Sequence, residues 1–316
     1  MYQDKVIAVV IPAYNEEKLV GRVIETMPEF VDHIIAVDDA SEDQTLQVVE
    51  SFLPRLQNRL LVIHHDTNQG VGAAIISGHQ KALEIGADIS VVMAGDAQMD
   101  PIDLPTLLDP VVSKLCDYSK GNRFFGGEAW KNMPRVRFFA NAGLSMLNKI
   151  ASGYWHIADP QCGYTAISST ALRKINLASI RKRYHFENSM LFHLNIENLK
   201  VMDVPIRAVY GIGESSGINE IWAFFSFAIV LQKIFIDRLI IKYVIRDFHP
   251  LVFFYLFGFI FFLVGSLLGI YLLLFRTFVG LVQSTSAIFA AFLFTSGLQL
   301  TLFGMLFDKD YSQNSS

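Results

Sequence analysis

The chain has 316 residues, of which 52% are hydrophobic, and a formal net charge of −4. That charge, with no strongly basic face implied, excludes general nucleic-acid binding, and so apolar a composition exceeds that of an ordinary soluble domain. The excess lies after about residue 220, which divides the chain into a soluble domain and a membrane anchor. Cys116 and Cys162 lack metal-site spacing and are expected to stay reduced in a cytosolic compartment. No signal peptide is expected, because the short run from Lys5 to Ile11 breaks at Pro12, so the amino-terminal domain is placed on the cytosolic side.

Val6 to Ile11 is a continuous apolar run of the kind a buried parallel strand requires. Pro12-Ala13-Tyr14-Asn15-Glu16-Glu17 then turns into a helix with acids in its first turn. His33 to Val37 is a second strand, ending on Asp38-Asp39-Ala40-Ser41-Glu42-Asp43-Gln44-Thr45, with Ser41 the expected N-cap of a helix through Val49. Acids at a second strand's end commonly meet the ribose or base of a nucleotide, which makes Asp38 and Asp39 candidates. Leu60 to His64 is a third strand, followed by Asn68-Gln69-Gly70-Val71-Gly72-Ala73-Ala74. This loop is neither a GxGxxG fingerprint nor a Walker A sequence; it reads as a phosphate loop or as a tight turn with close helix packing.

Ser90 to Met93, a fourth strand, runs into Ala94-Gly95-Asp96-Ala97-Gln98-Met99-Asp100-Pro101. Asp96, Gln98 and Asp100 offer hard oxygen ligands suited to Mg²⁺ or Mn²⁺ on a nucleotide diphosphate. The same acids also serve to cap the helix that starts at Pro101, with Asp103 in its first turn. Strand–helix alternation at this rhythm predicts an α/β fold, a mostly parallel sheet with helices on both faces and a ligand at its carboxyl rim.

Pro12-Ala13-Tyr14-Asn15-Glu16, Val37-Asp38-Asp39-Ala40-Ser41 with Asp43 and Thr45, Asn68-x-Gly70-x-Gly72, and Gly95-Asp96-x-Gln98-x-Asp100-Pro101 fall in the order seen in family 2 glycosyltransferases of the Rossmann-like GT-A fold. The downstream sequence resembles the polyprenyl-phosphate glycosyltransferases, a group that includes dolichol-phosphate mannose synthase and bactoprenol glucosyltransferases. The resemblance covers essentially the whole chain, most specifically residues 6–217. It implies a UDP- or GDP-linked sugar donor held by Pro12, Ala13, Tyr14, Glu16, Asp38 and Asp39. Gly70, Gly72, Asp96, Ala97 and Glu187 complete that implied set. It also implies a divalent ion, Mg²⁺ or Mn²⁺, on Asp96 and Gln98. The family's Asp-x-Asp reads Ala94-Gly95-Asp96 here, so the first carboxylate is missing. The diphosphate then supplies further oxygens, or the ion arrives already bound to the nucleotide, and Asp100 supports the site or caps the helix.

Tyr118 to Arg123 reads as a strand ending at a cation. In relatives this Gly-x-Arg arginine faces the lipid phosphate or the donor, and the planar fork of Arg123 suits phosphate; a solvated arginine is the alternative. After a loop at Gly126-Gly127-Glu128 comes Pro134-Arg135-Val136-Arg137. Arg137 and Asn141 share a helical face and suit a phosphate-bearing acceptor, with Arg135 an alternative. Asp159-Pro160-Gln161-Cys162-Gly163-Tyr164 matches the family's Asp-x-x-x-Gly segment near the reacting centre. Inversion at an anomeric carbon ordinarily needs a base, a need relaxed for an already ionised lipid phosphate, so Asp159 is either that base or an orienting residue for the sugar. Asp159 and Asp96 are the expected catalytic residues. Glu187, at the start of a helix, is placed by the resemblance against a sugar hydroxyl, or is simply an N-terminal helix acid. Val201 to Val204 reads as an edge strand leading to a Gly/Ser-rich loop, where Arg207 and Ser215 match positions that close over phosphate in relatives; the usual lysine after that serine is Ser216.

Residues 218–248 are expected as basic, amphipathic interfacial helices carrying Lys233, Arg238, Lys242 and Arg246. Leu251 to Phe275 is uncharged, and its length of about 38 Å exceeds the roughly 30 Å hydrocarbon core. After Arg276-Thr277, Phe278 to Phe307 completes a two-helix hairpin within 249–310, ending at Asp308-Lys309-Asp310. The basic residues before the first span put both termini of a multi-pass inner (plasma) membrane protein in the cytosol. Ser284-Thr285-Ser286 is expected to line a helix contact, and 311–316 to be a disordered polar tail. The expected activity is inverting transfer of a hexose to polyprenyl (undecaprenyl or dolichyl) phosphate, with UDP-glucose favoured from the two-span pattern. GDP-mannose, or a non-catalytic membrane scaffold suggested by Ala94, are the alternatives. The chain lacks the Gln-x-x-Arg-Trp motif of processive polysaccharide synthases, and a homo-oligomer through the spans is compatible with the sequence.

Overall fold

The computed structural model describes residues 1–125, 135–183, 185–207 and 220–314, with side chains of 135–142, 220–226 and 313–314 outside that description. The chain divides into two compact units, Met1–Ile234 and Phe235–Ser315.

Among the described residues of the first unit, seven strands form one sheet: β1 Ile7–Ala13, β2 His33–Asp38, β3 Leu60–His64, β4 Ile89–Val92, β5 Tyr118–Asn122, β6 Thr165–Ser168 and β7 Val201–Pro205. Their spatial order is β3-β2-β1-β4-β6-β5-β7. All pairings are parallel except those of β6, which runs antiparallel to both β4 and β5. The sheet is thus mostly parallel, as expected, with β7 at an edge. β6 itself was not foreseen: four residues ending in serine make too short a pattern to separate from a turn.

The whole of β1 is buried because both faces of the sheet are covered. Alternation sends Ile7, Val9 and Ile11 into a cluster with Val20, Val23, Leu104 and Leu107, and Ala8 and Val10 into another with Ala74 and Ala82. Each such aliphatic side chain contributes about 1.5–3 kcal/mol relative to exposure. Gly78 lets helix α4 approach β1 closely, since a Cβ there would collide with Val10.

The helices of this unit are α1 Val20–Glu25, α2 Thr45–Glu50, α3 Leu53–Leu56, α4 Val71–Glu84, α5 Leu104–Val112, α6 Arg135–Ser152, α7 Ser169–Lys174, α8 Phe186–Ile196 and α9 Glu220–Ile240, which continues past the unit's end. Two expected helix starts are corrected. α1 begins only at Val20, with Leu19 and Val20 N–H groups donating to the Glu16 carbonyl, so Glu16 and Glu17 sit in the turn before it rather than in its first turn. Ser41 does not cap α2: its Oγ accepts from Asn15 N at 3.0 Å, while Asp43 Oδ1 accepts from Thr45 N at 2.9 Å. Asp100 does cap, taking the Ile102 N–H at 2.9 Å to open the 3-10 turn Pro101–Asp103.

In the second unit a π-helical turn Ile241–Arg246 follows α9, and α10 Leu251–Phe278 pairs with α11 Ser284–Asn314. Both are long and apolar enough to cross a membrane, with mean hydropathy 2.5 and 1.7. The first helix runs through Arg276-Thr277 instead of breaking there, since one exposed cation at a helix end does not interrupt backbone hydrogen bonding; the break falls at 279–283. The second runs through Asp308-Lys309-Asp310 to Asn314, taking in residues expected as a disordered tail. Their close approach is made at glycines, not at Ser284-Thr285-Ser286: a Cβ on Gly265 or Gly297 would strike the facing backbone at Phe294 or Phe262, and one on Gly258 would meet Thr301.

The expected interfacial cations are also redistributed. Arg238 is fully buried and donates from both terminal nitrogens to Asp308, at 2.8 Å each, and Tyr243 Oη donates to the same carboxylate at 2.6 Å. Lys242 is buried over the rings of Tyr243 and Tyr311, which leaves Lys233 and Arg246 exposed.

Candidate active site

The carboxyl ends of β1, β2 and β4 meet at one rim. Ala13 pairs with Asp38 in register, Asp39 N donates to the Ala13 carbonyl at 2.9 Å and Gly95 N to the Pro12 carbonyl at 3.1 Å. Pro12, Ala13, Asp38, Asp39 and Asp96 are therefore brought together, and the exposed Tyr14 follows directly. The loops after β1 and β2 are stitched to each other. Glu42 N donates to Asn15 Oδ1, Glu16 N to Thr45 Oγ1, Glu17 N to Asp43 Oδ2, and Gln44 N to Glu17 Oε2. Asp43 and Thr45 thus build the rim rather than face it.

The two acids of the Asp38-Asp39 pair have different tasks. Asp38 Oδ2 meets His64 Nδ1 at 2.8 Å, while its Oδ1 is buried with no hydrogen-bond partner among the described residues. An unpaired buried acceptor costs about 1–3 kcal/mol, which a donor on a bound ligand would recover. Both oxygens of Asp39 are used internally: Oδ1 meets His65 Nδ1 at 2.7 Å and accepts Gln69 N at 2.9 Å, and Oδ2 accepts Gly70 N at 2.7 Å. Burial opposes its ionisation, but these hydrogen bonds outweigh it and hold the carboxyl below its usual range. Asp39 braces the loop after β3.

Gly70, at φ +98°, and Gly72 belong to close packing. A Cβ on Gly70 would lie 2.8 Å from the Lys182 carbonyl and one on Gly72 2.7 Å from that of Arg181, and Ala73 N donates to the Lys182 carbonyl at 3.0 Å. The exposed run Arg181-Lys182-Arg183, unremarked in the sequence, lines an open cavity of about 530 Å³ with Asn68, Gln69 and His185.

In the loop after β4, Asp96 Oδ1 accepts Gln98 N at 3.0 Å, with Ala97 at φ +58° completing the turn. Across the rim the Glu16 carboxyl is pushed up to about 7, first by burial and then by the charges of Asp96 and Asp43. Among the described residues no group of three or more His, Cys, Asp or Glu side chains could hold a metal ion. The oxygen donors Asp96 and Gln98 fit a hard ion that completes its shell from a diphosphate, as Mg²⁺ commonly does.

The second half of the site is built on β5. Arg123, just past the strand, donates Nε to Asp159 Oδ2 at 2.7 Å and Nη2 to Oδ1 at 3.0 Å, with its backbone N–H on Oδ2 at 3.2 Å. Two residues expected to act separately are thus one ion pair. Tyr164 Oη donates to the Asp100 carbonyl at 3.0 Å, tying the 159–164 segment to the loop after β4. Glu187 lies beside Gly163, and burial raises its carboxyl pKa against the charges of Lys120 and Arg123. Arg207 lies beyond β7, its backbone N–H held by Asp103 Oδ2 at 2.8 Å and its side chain exposed. Arg137 and Asn141 lie on α6, but their side chains are outside the described residues, as is all of Ser215. Sequence reasoning missed Lys120, buried in mid-strand, and Asp203, whose Oδ2 accepts Ala158 N at 2.6 Å; the one available signal was a lone lysine inside a strand pattern.

Comparison with known proteins agrees with this geometry. Residues 8–175 match the family model "Glycosyl transferase family 2". The UDP-N-acetylglucosamine–dolichyl-phosphate N-acetylglucosaminyltransferase of Methanococcus voltae is 33% identical over 219 residues, 66% of this chain and 87% of that protein. The polyprenol monophosphomannose synthase of Mycolicibacterium smegmatis is 30% identical over 228 residues, 70% and 84%. Among solved structures, glucosyl-3-phosphoglycerate synthase from Mycobacterium tuberculosis, in complex with Mn²⁺, UDP-glucose and phosphoglyceric acid, matches with TM-score 0.55 at 17% identity, over 74% of this chain and 80% of that one, which is a likeness of fold. The chain belongs to glycosyl transferase family 2, as a glycosyltransferase of the polyprenyl-phosphate sugar transferase group.

Proposed function

We propose that the protein is a membrane-anchored inverting transferase that moves a hexose from a nucleotide sugar to a polyprenyl phosphate, releasing the nucleoside diphosphate. UDP-glucose is the favoured donor from the two-span resemblance, and the M. voltae and M. smegmatis relatives add UDP-N-acetylglucosamine and a mannose donor to the set to be tested. The observation that carries the reading is the Arg123–Asp159 pair, tied through Tyr164 to the loop of Asp96.

The base and ribose sit at the rim of Ala13, Glu16 and Asp38, whose open Oδ1 accepts a ligand N–H or O–H. Asp96 and Gln98 would hold a divalent ion brought with the diphosphate, which would supply charge stabilisation for the leaving nucleotide. Arg123 is a doubly donating fork suited to phosphate, so the lipid phosphate and Asp159 compete for it. As the phosphate takes Arg123, Asp159 is released toward the sugar, where it orients a hydroxyl or accepts a proton from a monoanionic acceptor. Glu187 faces another sugar hydroxyl, and Arg137, Asn141, Arg207 and Ser215 close over the acceptor. The catalytic unit and both termini lie on the cytosolic side, with α10 and α11 spanning.

The test is transfer from UDP-glucose, UDP-N-acetylglucosamine and GDP-mannose to undecaprenyl or dolichyl phosphate in detergent, with and without Mn²⁺ or Mg²⁺, alongside Asp96→Ala. The reading predicts metal-dependent product with one donor and a loss of about 10²–10³-fold in the variant. A folded protein that transfers from no donor contradicts it and favours the scaffold.

A further inference from the structure

Lys120 lies in the middle of β5, is fully buried, and takes no part in the steps above. Lysine is almost never fully buried unless paired, and its surroundings are specific. Its ammonium donates to the Cys162 carbonyl, and Glu187 and Asp203 lie within reach of its charge. Asn122, on the same face two residues on, donates Nδ2 to Asp203 Oδ2 at 3.1 Å, the atom that also accepts Ala158 N. Arg123 then grips Asp159. The end of β5 therefore holds the 158–163 segment directly at Asp159 and at Cys162, and through Asp203 of β7 at Ala158; Cys162 adjoins Gly163, beside Glu187.

We propose that Lys120 is a positioning residue for sugar transfer, whose buried ammonium pins the Cys162 carbonyl and so fixes the segment that lies beside Glu187. The proposal rests on the reading of Asp159 and Glu187 as the sugar side of the site. The charged or titratable groups facing Glu187 are Lys120 and Arg123, with the Tyr118 phenol on the same strand. Burial already raises the Glu187 carboxyl, so loss of the lysine charge raises it further and the carboxylate is lost at higher pH. Lys120→Met removes charge and contact together, whereas Lys120→Gln keeps a donor for the Cys162 carbonyl.

The experiment uses the full chain in detergent, with Lys120→Met, Lys120→Gln, Glu187→Gln and the Lys120→Met/Glu187→Gln double variant, reading transfer and melting temperature against pH. Lys120→Met is expected to lower kcat about tenfold or more with donor KM changed less than about threefold. The acidic limb of kcat moves to higher pH, so activity falls further on the acidic side of the profile than on the alkaline side. Lys120→Gln regains part of kcat at high pH but keeps the moved limb, and in the Glu187→Gln background Lys120→Met moves no limb. A carboxyl raised by folding loses its stabilising contribution as pH climbs from its unfolded value through its folded one. Melting temperature therefore falls more steeply over that window in Lys120→Met than in the wild type, and less steeply in Glu187→Gln. A lowered kcat with an unmoved limb, or a Lys120→Met effect on the melting slope that persists with Glu187→Gln, overturns the proposal. If neither lysine variant folds, Glu187→Gln decides: loss of the acidic limb supports the proposal and its retention overturns it. If the wild type transfers from no donor, the functional reading fails, and the melting comparison still decides the role of Lys120.

Discussion

Two arginine–aspartate pairs of similar geometry have opposite settings in this molecule. In the first unit Arg123 meets Asp159 at 2.7 Å with the arginine side chain 32% exposed and the aspartate 1%. In the second Arg238 meets Asp308 at 2.8 Å with both at 0%. The sealed pair is fully buried among the described residues and receives the Tyr243 hydroxyl, so it serves to join the helix carrying Arg238 to α11. The half-open pair presents a guanidinium edge at the sheet rim, for which the proposed acceptor phosphate would compete with the carboxylate. Exposure of one partner, rather than pairing itself, separates a fastener from a candidate site.

Breaking the sealed pair gives the largest expected effect. Asp308→Asn leaves a buried guanidinium short of its counter-charge and is expected to cost about 3–5 kcal/mol, read as a fall in denaturant midpoint of the second unit. Kinetic constants of the surviving folded fraction should stay within about threefold of wild type. Arg123→Met, at the half-open pair, is expected to lower kcat/KM for polyprenyl phosphate about 10²–10³-fold, about 2.7–4 kcal/mol. Smaller still is Glu16→Gln. The Glu16 carboxyl, raised by burial and then by Asp96 and Asp43 to about 7, makes the metal-free protein lose stability as pH rises from about 4.5 to about 7. The variant should flatten that slope in a melting series, and an unchanged slope would contradict a raised Glu16 carboxyl.

The sequence disclosed whatever is local. Parallel strands buried on both faces read as the apolar runs Val6–Ile11 and His33–Val37, and the ligand rim followed from their shared ends. What escaped depends on contacts between distant residues. Asp38 and Asp39 are adjacent and chemically alike, yet only the fold shows that His65 and the Gln69 and Gly70 amides bind both oxygens of one and leave an oxygen of the other buried without a partner among the described residues. The pairing of Arg123 with Asp159 bridges 36 positions, and Arg238 looked like an interfacial cation because its partner Asp308 lies 70 positions away. The glycines of Asn68-x-Gly70-x-Gly72 read in sequence as phosphate binders or as packing residues, and only the fold brings the backbone of Arg181 and Lys182 against them.

The central claim, that the acceptor phosphate takes Arg123 from Asp159, is tested most directly by the polyprenyl-phosphate KM of Asp159→Asn beside that of Arg123→Met. Competition predicts opposite signs: Arg123→Met raises the acceptor KM about tenfold or more, while Asp159→Asn, which frees the arginine, lowers it even as kcat falls. An Asp159→Asn variant whose acceptor KM rises as far as that of Arg123→Met would contradict the account, because the carboxylate would then be helping to bind the acceptor rather than competing with it.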